Sequence, residues 1–242
     1  MSLPSVKILC AQAPVKEFDL LFSICYAFIV NPKYMLSRRN SFFSPYLEFP
    51  YFTKEVLRAS ADQFGIPEST FNSFIAKALK NGEIVHLKRN HYVARTFFEK
   101  HRTDSSYLFF LANALLEPSY VSLEAALQYY GLFAEAVNYT ITSVTTKLPR
   151  QFKNRTGIYF YRNITESLFT GFKMLKENFE FALALPHKAI FDYLYYRTNR
   201  FTKNVHADLL EEFRIDSSEL SSTEKENLRK LVAQFTFVKI SL

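Results

Sequence analysis

The sequence contains little cysteine and little glycine, and each scarcity excludes a class of protein. Cys10 and Cys25 are the only cysteines among 242 residues, which is too few for a disulfide scaffold or a cysteine metal site. Five glycines and nine prolines argue against long disordered regions. We therefore expect a folded chain in a reducing, cytoplasmic setting.

Long apolar runs are also missing. The longest, Leu20–Val30, has 11 residues, whereas a transmembrane helix needs about 20. We predict that this run forms a buried helix within an N-terminal extension, residues 1–45, that is helical and has no assigned role. A start at Met35 is the alternative, and it would make residues 1–34 an upstream extension.

The motifs of common enzymes are absent as well. The sequence contains no GxSxG, no phosphate-binding P-loop, no GxGxxG and no HExxH, and its histidines are scattered without metal-ligand spacing. We predict that the protein is not an enzyme and binds no cofactor or metal. A nucleic-acid-processing enzyme stays open as an alternative, because active sites can assemble from distant residues.

What the sequence does have is an uneven excess of positive charge. The formal net charge is +7, with a pI of about 9.2. Residues 50–100 carry a net charge of +3, residues 101–139 one of −3, and residues 140–205 one of +7. Two basic blocks therefore flank an acidic stretch, and a basic excess favours polyanionic partners such as nucleic acid.

The first basic block predicts two helices followed by a hairpin. Thr53 is a good N-cap for a helix over Lys54–Gln63, which Gly65 would end. A second helix, Glu68–Asn81, has one apolar stripe at helical spacing. Its members are Phe71, Phe74, Ile75, Ala78 and Leu79. "EIVHLKRNHYVA" then reads as a two-stranded hairpin that turns at Arg89-Asn90, since Asn tolerates positive φ.

This order is that of a winged helix-turn-helix, and it predicts a DNA-binding domain over residues 46–100. Asn72 and Ser73 would read bases in a major groove, and Ser69, Thr70, Lys77 and Lys80 would hold phosphates. Lys88, Arg89 and His91 on the wing would contact the backbone or a minor groove. The residues alone also fit an α/β unit with ordinary solvated charges. Pro67 in place of an N-cap and Glu68 at the positive helix end count against DNA.

The second half predicts an α+β domain over residues 101–242 with a small, mainly antiparallel sheet. Residues 105–133 read as helix, loop and helix, with Ser122 capping the second helix. Residues 139–164 read as at least three strands that carry a second basic patch. Its members are Lys147, Arg150, Lys153 and Arg155. Pro186 starts an apolar helix in which Lys188 and Asp192, four residues apart, would form a local ion pair.

Taken in order, these segments are similar to a known family. The stretch "YFTKEVLRASADQFGIPESTFNSFIAKALKNGEIVHLKRNHYV" resembles the N-terminal winged helix of AbiEi-type antitoxins. "PSYVSLEAALQYYGL", "ITSVTTKLPRQF", "GIYFYRNI" and "LPHKAIFDYLYYR" resemble the domain that follows it in that family. The resemblance runs from Tyr51 to Arg197. Asn90 stands where the family's wing usually has Gly, and His187 where a later motif usually has Glu.

The resemblance implies a transcriptional regulator and antitoxin of a type IV toxin–antitoxin system. Such proteins repress their own promoter and counter a nucleotidyltransferase-like toxin without a stable complex. By the same analogy, the partner is double-stranded operator DNA, bound by a homodimer or a cooperative pair, and no membrane is involved. The alternative is a protein-interaction module whose basic C-terminal domain binds an acidic partner, without specific DNA binding.

Overall fold

The computed structural model describes residues 42–133, 140–201 and 208–235 as a mixed α+β protein with two β-sheets. The helix expected at Leu20–Val30 lies outside these residues. The α-helices are α1 Lys54–Gln63, α2 Glu68–Lys80, α3 Arg95–His101, α4 Ser105–Leu115, α5 Leu123–Tyr129, α6 Pro186–Arg197, α7 Leu209–Glu212 and α8 Ser222–Val232. The strands are β1 Phe52–Thr53, β2 Ile84–Lys88, β3 His91–Ala94, β4 Ser119–Val121, β5 Thr140–Thr145, β6 Arg150–Asn154, β7 Gly157–Asn163, β8 Phe172–Lys176 and β9 Glu180–Ala184.

The first helix pair begins and ends where the sequence predicts. The Thr53 hydroxyl accepts a hydrogen bond from the Val56 amide at 3.3 Å and caps α1, and Gly65 follows α1 with a φ of +61°. On α2, Phe71, Ile75 and Ala78 of the apolar stripe are buried. Because no side chain caps its start at Pro67, α2 owes its position to this packing.

The hairpin also forms as predicted. β2 and β3 pair antiparallel, and Asn90 in the connecting turn adopts a φ of +63°. Two-residue hairpin turns require such left-handed conformations, which Asn accepts better than most residues. β1 pairs with the other side of β3, so the three-stranded sheet has the order β1-β3-β2. Aromatic side chains upstream of the expected boundary at residue 46 join this unit, since the Phe42 ring packs edge-on against Phe71.

The larger sheet has six strands in the order β6-β7-β5-β4-β9-β8. Three of its five pairings are antiparallel, but β5–β7 and β4–β9 are parallel, so the expectation of a small, mainly antiparallel sheet holds only in part. β5, β6 and β7 are the three strands that the sequence predicts. The predicted loop between the two helices of residues 105–133 is wrong in part, because strand β4 lies there.

Ser122 also behaves differently from the expected helix cap. It precedes α5 but makes no capping hydrogen bond; its hydroxyl donates to Asp192 at 2.8 Å. The Thr142 hydroxyl on β5 instead accepts from the Ala125 amide at 3.1 Å. Capping is thus supplied from a neighbouring strand, which a local sequence pattern does not reveal.

An ion pair is buried in the unit that contains the six-stranded sheet. Lys188 and Asp192 pair one helical turn apart on α6, as predicted, and both side chains are completely buried. The second carboxylate oxygen of Asp192 accepts hydrogen bonds from Ser122 and, at 3.0 Å, from the Tyr120 hydroxyl. Gly171 lies so close that a Cβ there would sit 3.0 Å from Lys188 Cγ. The charges are therefore fully enclosed, and both carboxylate oxygens of Asp192 accept hydrogen bonds.

The neighbouring His187 binds a side chain of α8. Its Nδ1 contacts the Glu224 carboxylate on α8, and its backbone amide donates to the same oxygen at 3.1 Å. Glu224 itself lies in the first turn of α8, which the Ser221 hydroxyl caps. His187 thus holds α8 against α6.

Asp104 at the start of α4 supplies a stability prediction. One carboxylate oxygen accepts from the Ser106 amide at 2.9 Å, and the other accepts from Asn178 at 3.1 Å. Burial alone would raise the pKa of this carboxyl, but these donors lower it below 3.8. Asp104→Ala should cost about 1 kcal/mol of unfolding free energy at pH 7, measured by urea denaturation.

The pH dependence of that loss identifies its cause. A lowered pKa stabilises the fold above the unfolded-state value, and the stabilisation disappears as pH falls through the folded-state value. The difference between wild type and Asp104→Ala should therefore shrink below about pH 4. Asp104→Asn keeps a capping oxygen and is the control, with a smaller loss at pH 7 that shrinks over the same pH range, because the titrating carboxylate is absent from both variants. A loss for Asp104→Ala that is the same below about pH 4 as at pH 7 would rule out capping by the charged form.

Candidate nucleic-acid interface

The exposed face of α2 carries the residues that the sequence assigns to DNA. Ser69, Thr70, Asn72, Lys77 and Lys80 are exposed, and Ser73 is half-buried. They lie opposite the buried stripe, since the other face of α2 packs into the core. A helix of 13 residues is about 20 Å long, enough to lie along a major groove. Its acidic first turn, Glu68, is also exposed.

The three candidate residues at the hairpin tip differ in their surroundings. Arg89 is exposed. The Lys88 ammonium donates to the Leu115 carbonyl at 2.9 Å and is half-buried against the end of α4. Burial lowers the pKa of Lys88, and nearby Lys147 and Arg150 lower it further, while Glu117 opposes them. Lys88 therefore fixes the hairpin against α4, which belongs to the unit that contains the six-stranded sheet. Of the three residues, Arg89 is the exposed cation.

His91 is likewise held by its neighbours. Its ring stacks on Tyr51 with a centroid separation of 5.9 Å, and its Nδ1 lies 3.0 Å from the Arg89 carbonyl. Burial lowers the pKa of His91 below 6.5, so the imidazole is mostly neutral at pH 7. Because the Arg89 carbonyl can only accept, the single N–H of the neutral ring is on Nδ1 and is already used. His91 therefore adds neither charge nor a free donor for a phosphate to the surface, contrary to the role the sequence predicts for it.

The second basic patch lies beside the hairpin. Strand β6 is an edge of the large sheet and β2 an edge of the small one, and the Asn154 amide on β6 donates to the Leu87 carbonyl on β2 at 2.8 Å. The four patch residues Lys147, Arg150, Lys153 and Arg155 are all exposed. The two basic blocks of the sequence thus meet at neighbouring sheet edges.

A further cation joins this surface at the end of α2. Gly82 ends the helix with a φ of +68°, and a Cβ there would lie 3.0 Å from Arg95 Nη1 and 3.9 Å from Arg155 Nη1. These two guanidinium groups come from different units of the fold and converge on one turn. No sequence pattern singles out Arg95; only its position directly after β3 and within the first basic block points to it.

A cleft of about 320 Å³ separates the hairpin from the second unit. Its lining residues are Tyr51, Lys88, His91, Ala114, Leu115, Leu116, Glu117 and Lys147. Lys147 of the second patch therefore lies at the same cleft as the hairpin residues Lys88 and His91. We define the basic edge as the exposed cations around this junction. They are Arg89, Arg95, Lys147, Arg150, Lys153 and Arg155.

The part of the chain that the structure describes holds neither a metal-binding cluster nor a membrane-spanning helix. Within residues 42–133, 140–201 and 208–235, no three His, Cys, Asp or Glu side chains are grouped so that they could hold a metal ion. In the same ranges, none of the helices has the length and apolar character needed to cross a membrane.

Comparison with known proteins adds no family assignment. No protein-family model matches the chain, and no curated protein matches it either.

Proposed function

We propose that this chain is a transcriptional autorepressor that binds operator DNA through an N-terminal winged helix, and that it is the antitoxin of a type IV toxin–antitoxin pair. The observation that carries the DNA-binding part is the arrangement of α2. One face is buried against the small sheet, the opposite face exposes short polar side chains and lysines, and a hairpin with an exposed Arg89 follows directly.

In this proposal α2 lies in a major groove. Asn72 and Ser73 pair with base edges, while Ser69, Thr70, Lys77 and Lys80 bind phosphates on either side. Arg89 reaches the backbone or the adjacent minor groove, and the basic edge follows the duplex past the hairpin. The net charge of +7 adds a long-range attraction that speeds association with DNA.

The antitoxin role rests on the resemblance in the order of motifs from Tyr51 to Arg197. We propose that the protein opposes a nucleotidyltransferase-like toxin indirectly, through the C-terminal unit. Co-expression with a toxin of this class should restore growth of the host cells, and the test is growth with and without this chain. A second arm would use the α2 variant Asn72→Ala. If Asn72→Ala still rescues growth but no longer represses a promoter reporter, the two activities reside in separate units. If the intact chain fails to rescue growth, the antitoxin role is contradicted.

The hairpin provides the first binding prediction. Replacing Arg89 with Ala should lower the slope of log affinity against log salt by about 0.9, the value for one lost phosphate contact. The sequence alone predicts a reduction of roughly two for Lys88 and Arg89 together. Because the Lys88 ammonium already binds the Leu115 carbonyl, we now expect the double variant to lose only slightly more than Arg89→Ala. A reduction of the slope by about two in the double variant would show instead that Lys88 also contacts a phosphate.

A further inference from the structure

The cleft beside the hairpin has the size of a small-molecule site. Its volume of about 320 Å³ lies at the lower end of the range of about 300–1,000 Å³ for clefts that bind small ligands. Lys88 and His91 line it from the hairpin, and Lys147 and Glu117 line it from the unit that contains the six-stranded sheet. A single small ligand in this cleft would therefore contact both units.

Three groups in the cleft can donate hydrogen bonds to a ligand. The Lys88 ammonium donates to two backbone carbonyls at the end of α4, at 2.9 and 3.4 Å, which leaves at least one of its three N–H groups. Within the described residues, the Lys147 ammonium forms no ion pair and the Tyr51 hydroxyl makes no hydrogen bond. Burial and the Glu117 carboxylate raise the pKa of Tyr51, so its hydroxyl keeps the proton that it donates. Because two of these three donors are cations, they favour an anion.

The positive charge at the cleft is only partly offset within the protein. Burial lowers the pKa of the Lys88 ammonium, and the nearby charges of Lys147 and Arg150 lower it further. Glu117 opposes them from a distance, without an ion pair to Lys88. A bound anion would offset the mutual repulsion of these cations, so the electrostatics of the cleft favour its occupation.

The cleft also contains acceptors, which an inorganic anion could not use. The Glu117 carboxylate is exposed at the cleft and can only accept. The neutral His91 ring has its N–H on Nδ1, directed at the Arg89 carbonyl, and this leaves Nε2 as a second acceptor. The Tyr51 ring, parallel to His91 at a centroid separation of 5.9 Å, adds an aromatic surface. A matching ligand carries an anionic group, hydrogen-bond donors and a planar ring.

The backbone on both sides of the cleft is held in place. The Asn163 side-chain amide donates to the Lys147 carbonyl at 3.0 Å, and the Thr145 hydroxyl accepts from the Lys147 amide at 3.2 Å. Next to Tyr51, the Pro50 carbonyl accepts from the Tyr107 hydroxyl at 2.8 Å. Because these segments are already ordered, little conformational entropy is lost when a ligand binds between them.

We propose that this cleft binds a nucleoside monophosphate. The phosphate binds between the Lys88 and Lys147 ammonium groups, and Glu117 accepts from hydroxyl or amino groups of the nucleoside. The Tyr51 ring packs against the base, as aromatic side chains do in single-nucleotide contacts. The site does not depend on the proposed DNA-binding function, because its aromatic ring and its carboxylate have no role in that surface.

The test is isothermal titration calorimetry of the full chain with the monophosphates of adenosine, guanosine, cytidine and uridine. Inorganic phosphate and the four unphosphorylated nucleosides are the probes that each lack one part of the ligand. At least one monophosphate should bind with a Kd below about 1 mM. Its two parts alone should each bind at least about tenfold more weakly, since each leaves charged or polar groups of the cleft unpaired.

Two variants and a control locate the site. Lys147→Ala should weaken binding of the monophosphate at least about tenfold, the cost of one hydrogen bond to a charged group. Lys173→Ala, at an exposed lysine on the distant strand β8, is the matched control and should bind as wild type does. Glu117→Ala should tighten the binding of inorganic phosphate, because a negative charge is lost, yet weaken that of the monophosphate, because an acceptor is lost.

The outcomes separate this site from a general basic surface and from the DNA interface. If no monophosphate binds, if inorganic phosphate binds as tightly, or if Glu117→Ala tightens both ligands, the nucleotide site is wrong. If only the upstream duplex binds and Lys147→Ala weakens it, the cleft belongs to the DNA surface, and the proposed function stands without the nucleotide site. Binding of a monophosphate by a chain that binds no duplex would support the site and contradict the DNA-binding function.

Discussion

Replacing Lys188 with methionine should lower the free energy of unfolding by about 3–5 kcal/mol, the usual cost of leaving one partner of a buried ion pair alone. Lys188 and Asp192 have no exposed side-chain surface. Methionine fills much of the volume of the lysine stem beside Gly171, so the loss would arise from the uncompensated carboxylate and not from a cavity. Urea denaturation followed by circular dichroism measures it.

Two further variants separate the charge effect from packing. Lys188→Met combined with Asp192→Asn removes both charges and should recover most of the lost stability, because Asn retains an oxygen for the hydroxyls of Ser122 and Tyr120. Lys173→Met, at an exposed lysine on β8, is the control and should change stability by less than about 0.5 kcal/mol. A loss at Lys188 as small as that at Lys173 would mean that the pair does not hold the core together.

The pH dependence of Lys188→Met provides an independent check. Burial raises the pKa of the Asp192 carboxyl, and the Lys188 ammonium opposes this most strongly. Without Lys188, the folded-state pKa rises further above the unfolded value of about 3.9. A raised carboxyl pKa means that the folded form binds the extra proton, so the stability of the variant should fall as pH rises from 4 towards 7. Its deficit relative to wild type should thus be smaller at pH 4 than at pH 7.

The second large effect concerns the basic edge. Arg150→Ala combined with Arg155→Ala should lower the slope of log affinity against log salt by about 1.8, or 0.9 for each lost phosphate contact. At 0.1 M salt this corresponds to a loss of affinity on the order of fiftyfold. The physical reason is that both guanidinium groups are exposed beside the hairpin that follows α2, Arg150 on strand β6 and Arg155 in the turn directly after it. Anisotropy titrations on the upstream duplex across a salt series measure both quantities.

The sheet itself offers a matched control for this prediction. Lys173 and Lys176 are exposed on β8, which is the opposite edge of the same sheet. Lys173→Ala combined with Lys176→Ala removes the same charge, so any effect of net charge alone would be equal in the two double variants. We expect the β8 variant to change the slope by less than about 0.5. Equal losses from both edges would mean that the DNA contact is not localised at β6.

The sequence predicts the first unit well because its signals are local. Thr53, Gly65, Gly82 and Asn90 each specify a cap or turn through their own chemistry, and the apolar stripe of α2 repeats at helical spacing. Strand β4 was missed because its three residues are too short for a periodic pattern and gain their place by pairing with β5 and β9. The β8–β9 hairpin was likewise not predicted.

The candidate interface likewise has one part that local sequence predicts and one part that depends on contacts between distant segments. Exposure of Lys77, Lys80 and Arg89 follows from the period of one helix and the turn of one hairpin. The binding of Lys88 to a carbonyl at the end of α4, and the convergence of Arg95 and Arg155 on Gly82, depend on how two units pack. The sequence marks the charges as basic blocks, but the contacts between distant segments decide which of them remain free.

The most direct test of the account is fluorescence anisotropy of the purified chain on the duplex upstream of its own gene, with a scrambled duplex of equal length and composition, each titrated across a salt series. We expect the protein to bind the upstream duplex more than about a hundredfold more tightly than the scrambled one. We also expect Asn72→Ala to lower the ratio of the affinity for the upstream duplex to that for the scrambled one. Equal, salt-sensitive binding to both duplexes would contradict a specific repressor, and no binding to either would favour an interaction module that engages an acidic protein.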